Sequence, residues 1–253
     1  MGRDASREPQ NDSRDSLGRS RNGSGLMVDM VVFRWQVAAR EHPGGRRRYL
    51  RARRVSEQPF IWALLAGALS IVALAGLWIV MFRMVRIPGN TVPDFSKYPV
   101  VTVVVSLAMA SLVSSVAEEA GFRGYFQVAL ESGFSAPAAI LIQALLIAPA
   151  HGLTQGFVWP TVVFYLLVDA MLGTSAYLTR SIVPGVIVHN AGLLTFFSLI
   201  WPEDRHRVPI WESGADQRFW IHIAQAVVFG GFAIGAYMRL ARLTYSSRKA
   251  TVD

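Results

Sequence analysis

Six long apolar runs dominate this chain of 253 residues, at about 59–82, 98–117, 136–153, 157–178, 182–200 and 219–238. Each is close to the ~20 residues that cross ~30 Å of hydrocarbon as a helix. The second, third and fifth are at the short end, which calls for tilt or bilayer thinning. A chain that spans lipid must satisfy its backbone internally, as a helical bundle or a closed barrel. Barrel strands alternate in polarity at every second residue, and these runs do not. The predicted fold is therefore all-α, a polytopic transmembrane helical bundle of about six spans. Only 17% of the residues are charged, below the roughly 25% of soluble domains.

Charge divides the chain into three parts. Residues 1–57 form a basic, largely disordered N-terminal segment, with thirteen arginines by position 58 and the run Arg46, Arg47, Arg48, Arg51, Arg53, Arg54 just before the first apolar stretch. Its first 25 residues lack the apolar core of a signal peptide and have the polar composition of disorder. Residues 58–240 are the helical domain, and 241–253 a short basic tail. Positive flanks stay on the cytoplasmic side, so both termini are expected in the cytoplasm, in a cytoplasmic membrane. The basic run suits anionic head groups, and no folded nucleic-acid motif accompanies it, so no nucleic-acid partner is expected. The loop 83–97 disagrees with this topology, because it would lie outside yet carries Arg83, Arg86 and Lys97 against Asp94. There is no cysteine, which excludes disulfides, thiol catalysis and thiolate metal sites.

Against this apolar background five polar residues stand out. Glu118 and Glu119 follow the second run, and Arg123 comes one turn later. His151 ends the third run just after Pro149, and His189 lies within the fifth. A charge at membrane depth costs roughly 2.5–3.5 kcal/mol on insertion scales, so such residues are functional candidates. Phe122, Tyr125, Phe126, Ala129 and Leu130 follow the i, i+3, i+4, i+7, i+8 pattern of an amphipathic helix, with Arg123, Gln127 and Glu131 off its stripe. That helix either continues the second span or lies at the membrane surface, and Gly133 and Pro137 end it.

At about 100° per residue, Glu119 and Arg123 share a side and can pair, while Glu118 points elsewhere. Two adjacent carboxylates in a dry site do not both ionise cheaply. One stays charged beside arginine, and the other is available as a general base. The alternative is a surface Glu–Arg pair on an interfacial helix. For the histidines the alternative is a hydrogen-bonded core residue. Polar groups converging between bundle helices build sites. His42, His206 and His222 lie in flanks or at a span end and receive no role.

No short zinc motif is present. Glu118, His151 and His189 still offer the three ligands of a catalytic zinc site. The alternative without a cofactor has a glutamate activate water while the histidines orient it and stabilise an oxyanion.

The stretch EEAGFRGYFQVAL resembles the E-E-x-x-x-R signature of the CAAX-processing and bacteriocin-immunity (CPBP, or ABI) family. The resemblance covers roughly 98–200 and implies an intramembrane glutamic endopeptidase acting on a membrane protein or peptide substrate. It implies that Glu118 activates the water with Glu119 and Arg123 in support, and that His151 and His189 bind water and oxyanion. The family's F-x-x-x-H motif corresponds to Ile147–His151, with isoleucine in place of phenylalanine. Its histidine followed four residues later by Asn or Asp corresponds to His189 and Leu193, so the polar residue is missing. Asn190, adjacent but rotated by about 100°, is the candidate replacement oxyanion donor. Loss of such a donor costs ~10²–10³ in turnover, so a second expectation is a weak or inactive family member acting as an immunity, assembly or partner-binding factor. Asp169, in the middle of the fourth run, is not part of the family pattern. It is either functional or an interhelical hydrogen-bonding acid.

Overall fold

The structure, a computed structural model, describes residues 50–86 and 94–249. Most of the expected disordered segment, residues 1–49, lies outside the described residues, as does the end of the basic tail. Among the described residues the chain is helical throughout, with no strand. Six principal helices follow the six apolar runs. They are α1 (Glu57–Phe82), α2 (Val100–Glu131), α3 (Ala136–His151), α4 (Trp159–Thr179), α5 (Val183–Thr195) and α6 (Gln217–Lys249). Five are long and apolar enough to cross a membrane, counting α5 with its continuation to Asp204. The third expected span is shorter. The α-helical part of α3 is Ala136–Ile147, about 18 Å at 1.5 Å per residue. It then tightens into a 3₁₀ turn, Ala148–His151, containing Pro149, whose missing N–H ends the regular ladder.

The expected amphipathic helix is not a separate element. It continues α2 through a π-helical segment, Glu119–Phe126, into Gln127–Glu131. Its most deeply buried side is also the polar one, although Leu130 of the apolar stripe is buried too. Ser111, Ser115, Glu119, Arg123 and Gln127 are all buried, at 0–1% exposure, whereas Phe122, Tyr125, Phe126 and Ala129 are only half-buried. Lipid accepts apolar side chains freely, so the polar ridge turns inward where it finds partners. The ridge repeats every four residues. A straight α-helix drifts about 40° per four residues. The π turn, with its wider i→i+5 ladder, turns less per residue and corrects that drift.

Small residues on α1 let its neighbours approach. At Gly76 an added Cβ would stand 2.8 Å from the carbonyl oxygen of His222, so α6 packs directly on the α1 backbone there. Gln225 of α6 donates to the Val72 carbonyl at 2.7 Å. Farther along α1, Trp78 stacks on Phe82 at 3.8 Å and meets Phe164 and Phe196 edge-on at 4.7 Å. Its Nε1 donates to Asp204 at 2.8 Å, which satisfies the one polar atom of a buried indole.

Polar contacts close both ends of the bundle. At one end Arg51 pairs with Glu131, its carbonyl accepts from Ile182 N–H, and Ser181 Oγ donates to the Arg53 carbonyl. This short strap crosses α2 at Gly124, where a Cβ would meet the Leu50 carbonyl oxygen at 3.2 Å. At the other end Arg83 donates to Asp216 (2.6 Å), Ser213 (2.6 Å) and the Gly214 carbonyl (3.0 Å), and Arg86 pairs with Glu212 at 3.2 Å. Two of the three positive charges that conflict with a simple topology in the 83–97 loop, Arg83 and Arg86, are thus matched by acids of the 201–216 loop.

Candidate active site

The two acids of α2 lie where its α-helical part passes into the π segment, and they face different surfaces. Glu119 is fully buried. Its Oε1 lies 3.2 Å from Arg123 Nη1 and 3.1 Å from His189 Nδ1. A Cβ at Gly185 would stand 2.5 Å from Glu119 Oε2, so only glycine on α5 leaves room for this carboxylate. Glu118 remains 28% exposed, and its Oε2 lies 3.8 Å from His189 Nε2. Bonding to the Glu119 carboxylate assigns the proton to Nδ1 of His189 and turns Nε2 toward Glu118.

Arg123 also pairs with Asp169 of α4. The ionisable groups therefore run in one chain, Asp169–Arg123–Glu119–His189–Glu118, across α4, α2 and α5. Gln127, the next residue of the ridge, donates to Glu131 at 2.9 Å and to the Gly173 carbonyl at 3.0 Å, which fixes α2 to α4 one turn farther on.

Glu118 opens onto a cavity of about 390 Å³. His151, His189 and Asp169 share its wall with Ser114, Gln155, Tyr165 and Leu193. The 3₁₀ turn that ends α3 brings His151 here, and its ring stacks on Tyr165 at 3.6 Å, nearly parallel. Gln155 in turn donates to the Tyr165 hydroxyl at 2.6 Å. An acid and two imidazoles, from three separate helices, thus face one space large enough for several waters or an extended peptide segment.

Glu118, His151 and His189 are therefore brought together at one cavity, with Glu119 and Arg123 buried behind it. Asn190 is not among the lining residues, and its Oδ1 is buried with no hydrogen-bond partner. Leu193 is on the wall instead. Asp169 stands out in the sequence as a mid-span acid, but its partner does not. Tyr165 and Gln155 gave no sequence signal, since each has meaning only through a contact across the fold. The polar ridge did leave one, a polar residue at every fourth position from Ser111 to Glu131. Among the described residues, no three of His, Asp and Glu are grouped so as to hold a metal ion. The alternative ligand set Glu118, His151 and His189 lines the cavity without forming such a cluster.

No curated protein and no solved structure matches the chain. A protein-family match covers residues 100–192, which include both glutamates, Arg123 and both histidines, and ends one residue before Leu193. That family is described as Type II CAAX prenyl endopeptidase Rce1-like, and the chain is similar to it over this stretch, which contains the E-E-x-x-x-R motif.

Proposed function

We propose that this integral membrane protein is an endopeptidase that hydrolyses a peptide bond of a membrane protein or peptide with a water activated by Glu118. The observation that carries this reading is the shared cavity, where the more exposed glutamate faces His151 and His189 while its neighbour is occupied by Arg123. Glu118 takes a proton from water as the water oxygen attacks the carbonyl carbon. The histidines orient the water and stabilise the tetrahedral oxyanion. Glu118 then returns the proton to the leaving amine nitrogen as the C–N bond breaks. Glu119 pairs with Arg123 and orients His189 through Nδ1. The reaction so written uses no cofactor.

The helical domain 58–240 carries this chemistry, with the N-terminal segment and the basic tail on the cytoplasmic side of a cytoplasmic membrane. Arg54, Arg180 and Arg242 are exposed at one end of the bundle, whereas Arg83 and Arg86 at the other are paired with acids. An excess of free positive charge marks the cytoplasmic face.

A second reading is favoured by Leu193, which places an apolar side chain on the cavity wall where the family carries Asn or Asp. The protein would then turn over slowly, or act as a partner-binding or assembly factor on the same scaffold. Proteomics of membrane fractions from cells carrying wild type or Glu118→Gln separates the two. The protease reading expects membrane-protein fragments present with wild type and absent with the variant, at equal levels of inserted protein. Identical fragment patterns, with the phenotype of the wild type retained by Glu118→Gln, would leave only the second.

A further inference from the structure

A larger space lies on the opposite side of α4 from the catalytic cavity. It is a groove of about 980 Å³ between α1, α3, α4 and α6, and it shares no lining residue with that cavity. Its origin is geometric. Helix α6 follows α1 closely, through Gly76 and Gln225, and reaches α4 through the Tyr237 hydroxyl, which donates to the Met171 carbonyl at 3.3 Å. Between α6 and α3 the walls stay apart. They are almost wholly apolar, with Pro137 and Ile140 on α3, Ala170 on α4, and Gly230 and Met238 on α6.

An apolar groove of this size, open on the side of the bundle with Val227, Ile234 and Met238 exposed, loses dispersion contacts unless something apolar fills it. Its two ends differ in charge. Toward Leu77, Leu167 and Val227 the lining is apolar. At the other end Arg242 follows Met238 by one turn on the groove-lining face of α6, and Arg180 follows Leu178 at the end of α4. Both arginines are exposed. The N-terminus of α3 opens at the same mouth, since Ala136 and Pro137 line the groove and Ser135 makes no side-chain cap. Unsatisfied N–H groups there add positive potential. From Ala226 to Ala241 the groove runs about 22 Å along α6, a length suited to an extended acyl chain.

We infer that this groove is a binding site for one anionic phospholipid, its acyl chains between α3 and α6 and its phosphate head group held by Arg180, Arg242 and the N-terminus of α3. The lipid completes the packing of α4, whose other face carries Asp169 and Tyr165.

The test uses the full chain in nanodiscs of phosphatidylglycerol and phosphatidylcholine in equal amounts, with the lipid retained on release measured by native mass spectrometry. Wild type is expected to retain phosphatidylglycerol several-fold over phosphatidylcholine. Arg180→Gln with Arg242→Gln, both at exposed positions, is expected to bring the two lipids to parity. Gly230→Phe fills the groove, since a Cβ there meets only Ala73 at 4.0 Å, and is expected to reduce retention of both lipids. Equal retention of the two lipids by wild type overturns the head-group assignment. Undiminished retention by Gly230→Phe, or capture of an apolar peptide in place of lipid, overturns the site.

Discussion

Arg123 of α2 and Asp169 of α4 form a buried ion pair between residues 46 positions apart. With Glu119 on its other side, the guanidinium is held by two acids and ties α2 to α4. Removing one partner of a buried pair strands the remaining charge, at a cost of about 3–5 kcal/mol. Arg123→Ala strands two acids, whereas Asp169→Ala leaves Arg123 with Glu119. Thermal unfolding in detergent should therefore rank wild type above Asp169→Ala, and Asp169→Ala above Arg123→Ala. Equal stability of all three would make the chain of charges a solvated contact.

Gly185→Ala adds one methyl group and no charge. It places carbon 2.5 Å from Glu119 Oε2, and overpacking of this kind costs about 1–3 kcal/mol. Glu119 has to move, and His189 loses its 3.1 Å partner. The expected result is inserted, folded protein with at least tenfold lower turnover. Unchanged turnover would mean that the Glu119–His189 contact does not position the imidazole.

Leu193→Asn restores a polar group to the cavity wall one turn beyond His189. An oxyanion donor is worth ~10²–10³ in turnover, so the variant should cleave faster than wild type, measured per folded molecule on a quenched peptide in proteoliposomes. A drop in turnover in correctly inserted protein would place the oxyanion away from this wall.

The far end of the bundle supplies a pH prediction. Hydrogen bonds from Arg83, then from the Phe219 N–H, hold the Asp216 carboxyl below the usual carboxylate range. A depressed carboxylate contributes stability above its unfolded pKa of about 4 and loses it as pH falls through the folded value. The unfolding midpoint should thus decline on acidification below about pH 4, and Asp216→Asn should flatten that decline. An identical acid profile for the two proteins would show that Arg83 is held by Ser213 and the loop carbonyls alone.

Much of the fold is legible in the sequence because membrane helices satisfy their own backbone, so each apolar run becomes one helix. The acids and histidines are legible for the opposite reason, as groups that lipid penalises. The orientation of the helix after Glu118 is not. Amphipathic reasoning borrowed from water puts Phe122 and Phe126 inside and Arg123 and Gln127 outside, whereas the bundle buries Arg123 and Gln127 fully and Phe122 and Phe126 only by half. The π turn is invisible too, because a rotation of about 100° per residue is assumed in any helical projection. Asn190 fails as a cavity residue through its angle on α5, which puts Leu193 on the wall. Partnership between Asp169 and Arg123 depends on how α4 packs against α2, and neither local sequence encodes that.

The strap over Gly124 bears on the order in which the molecule is assembled. Arg51 and Arg53 leave the ribosome early, but their partners include Arg180, Ser181 and Ile182. At 5–20 residues per second, on the order of ten seconds separates the two events. During that interval α1 and α2 sit in the bilayer with the strap unfastened. His189 of α5 emerges later still, so a nascent chain arrested before that point holds both glutamates but not the completed candidate site.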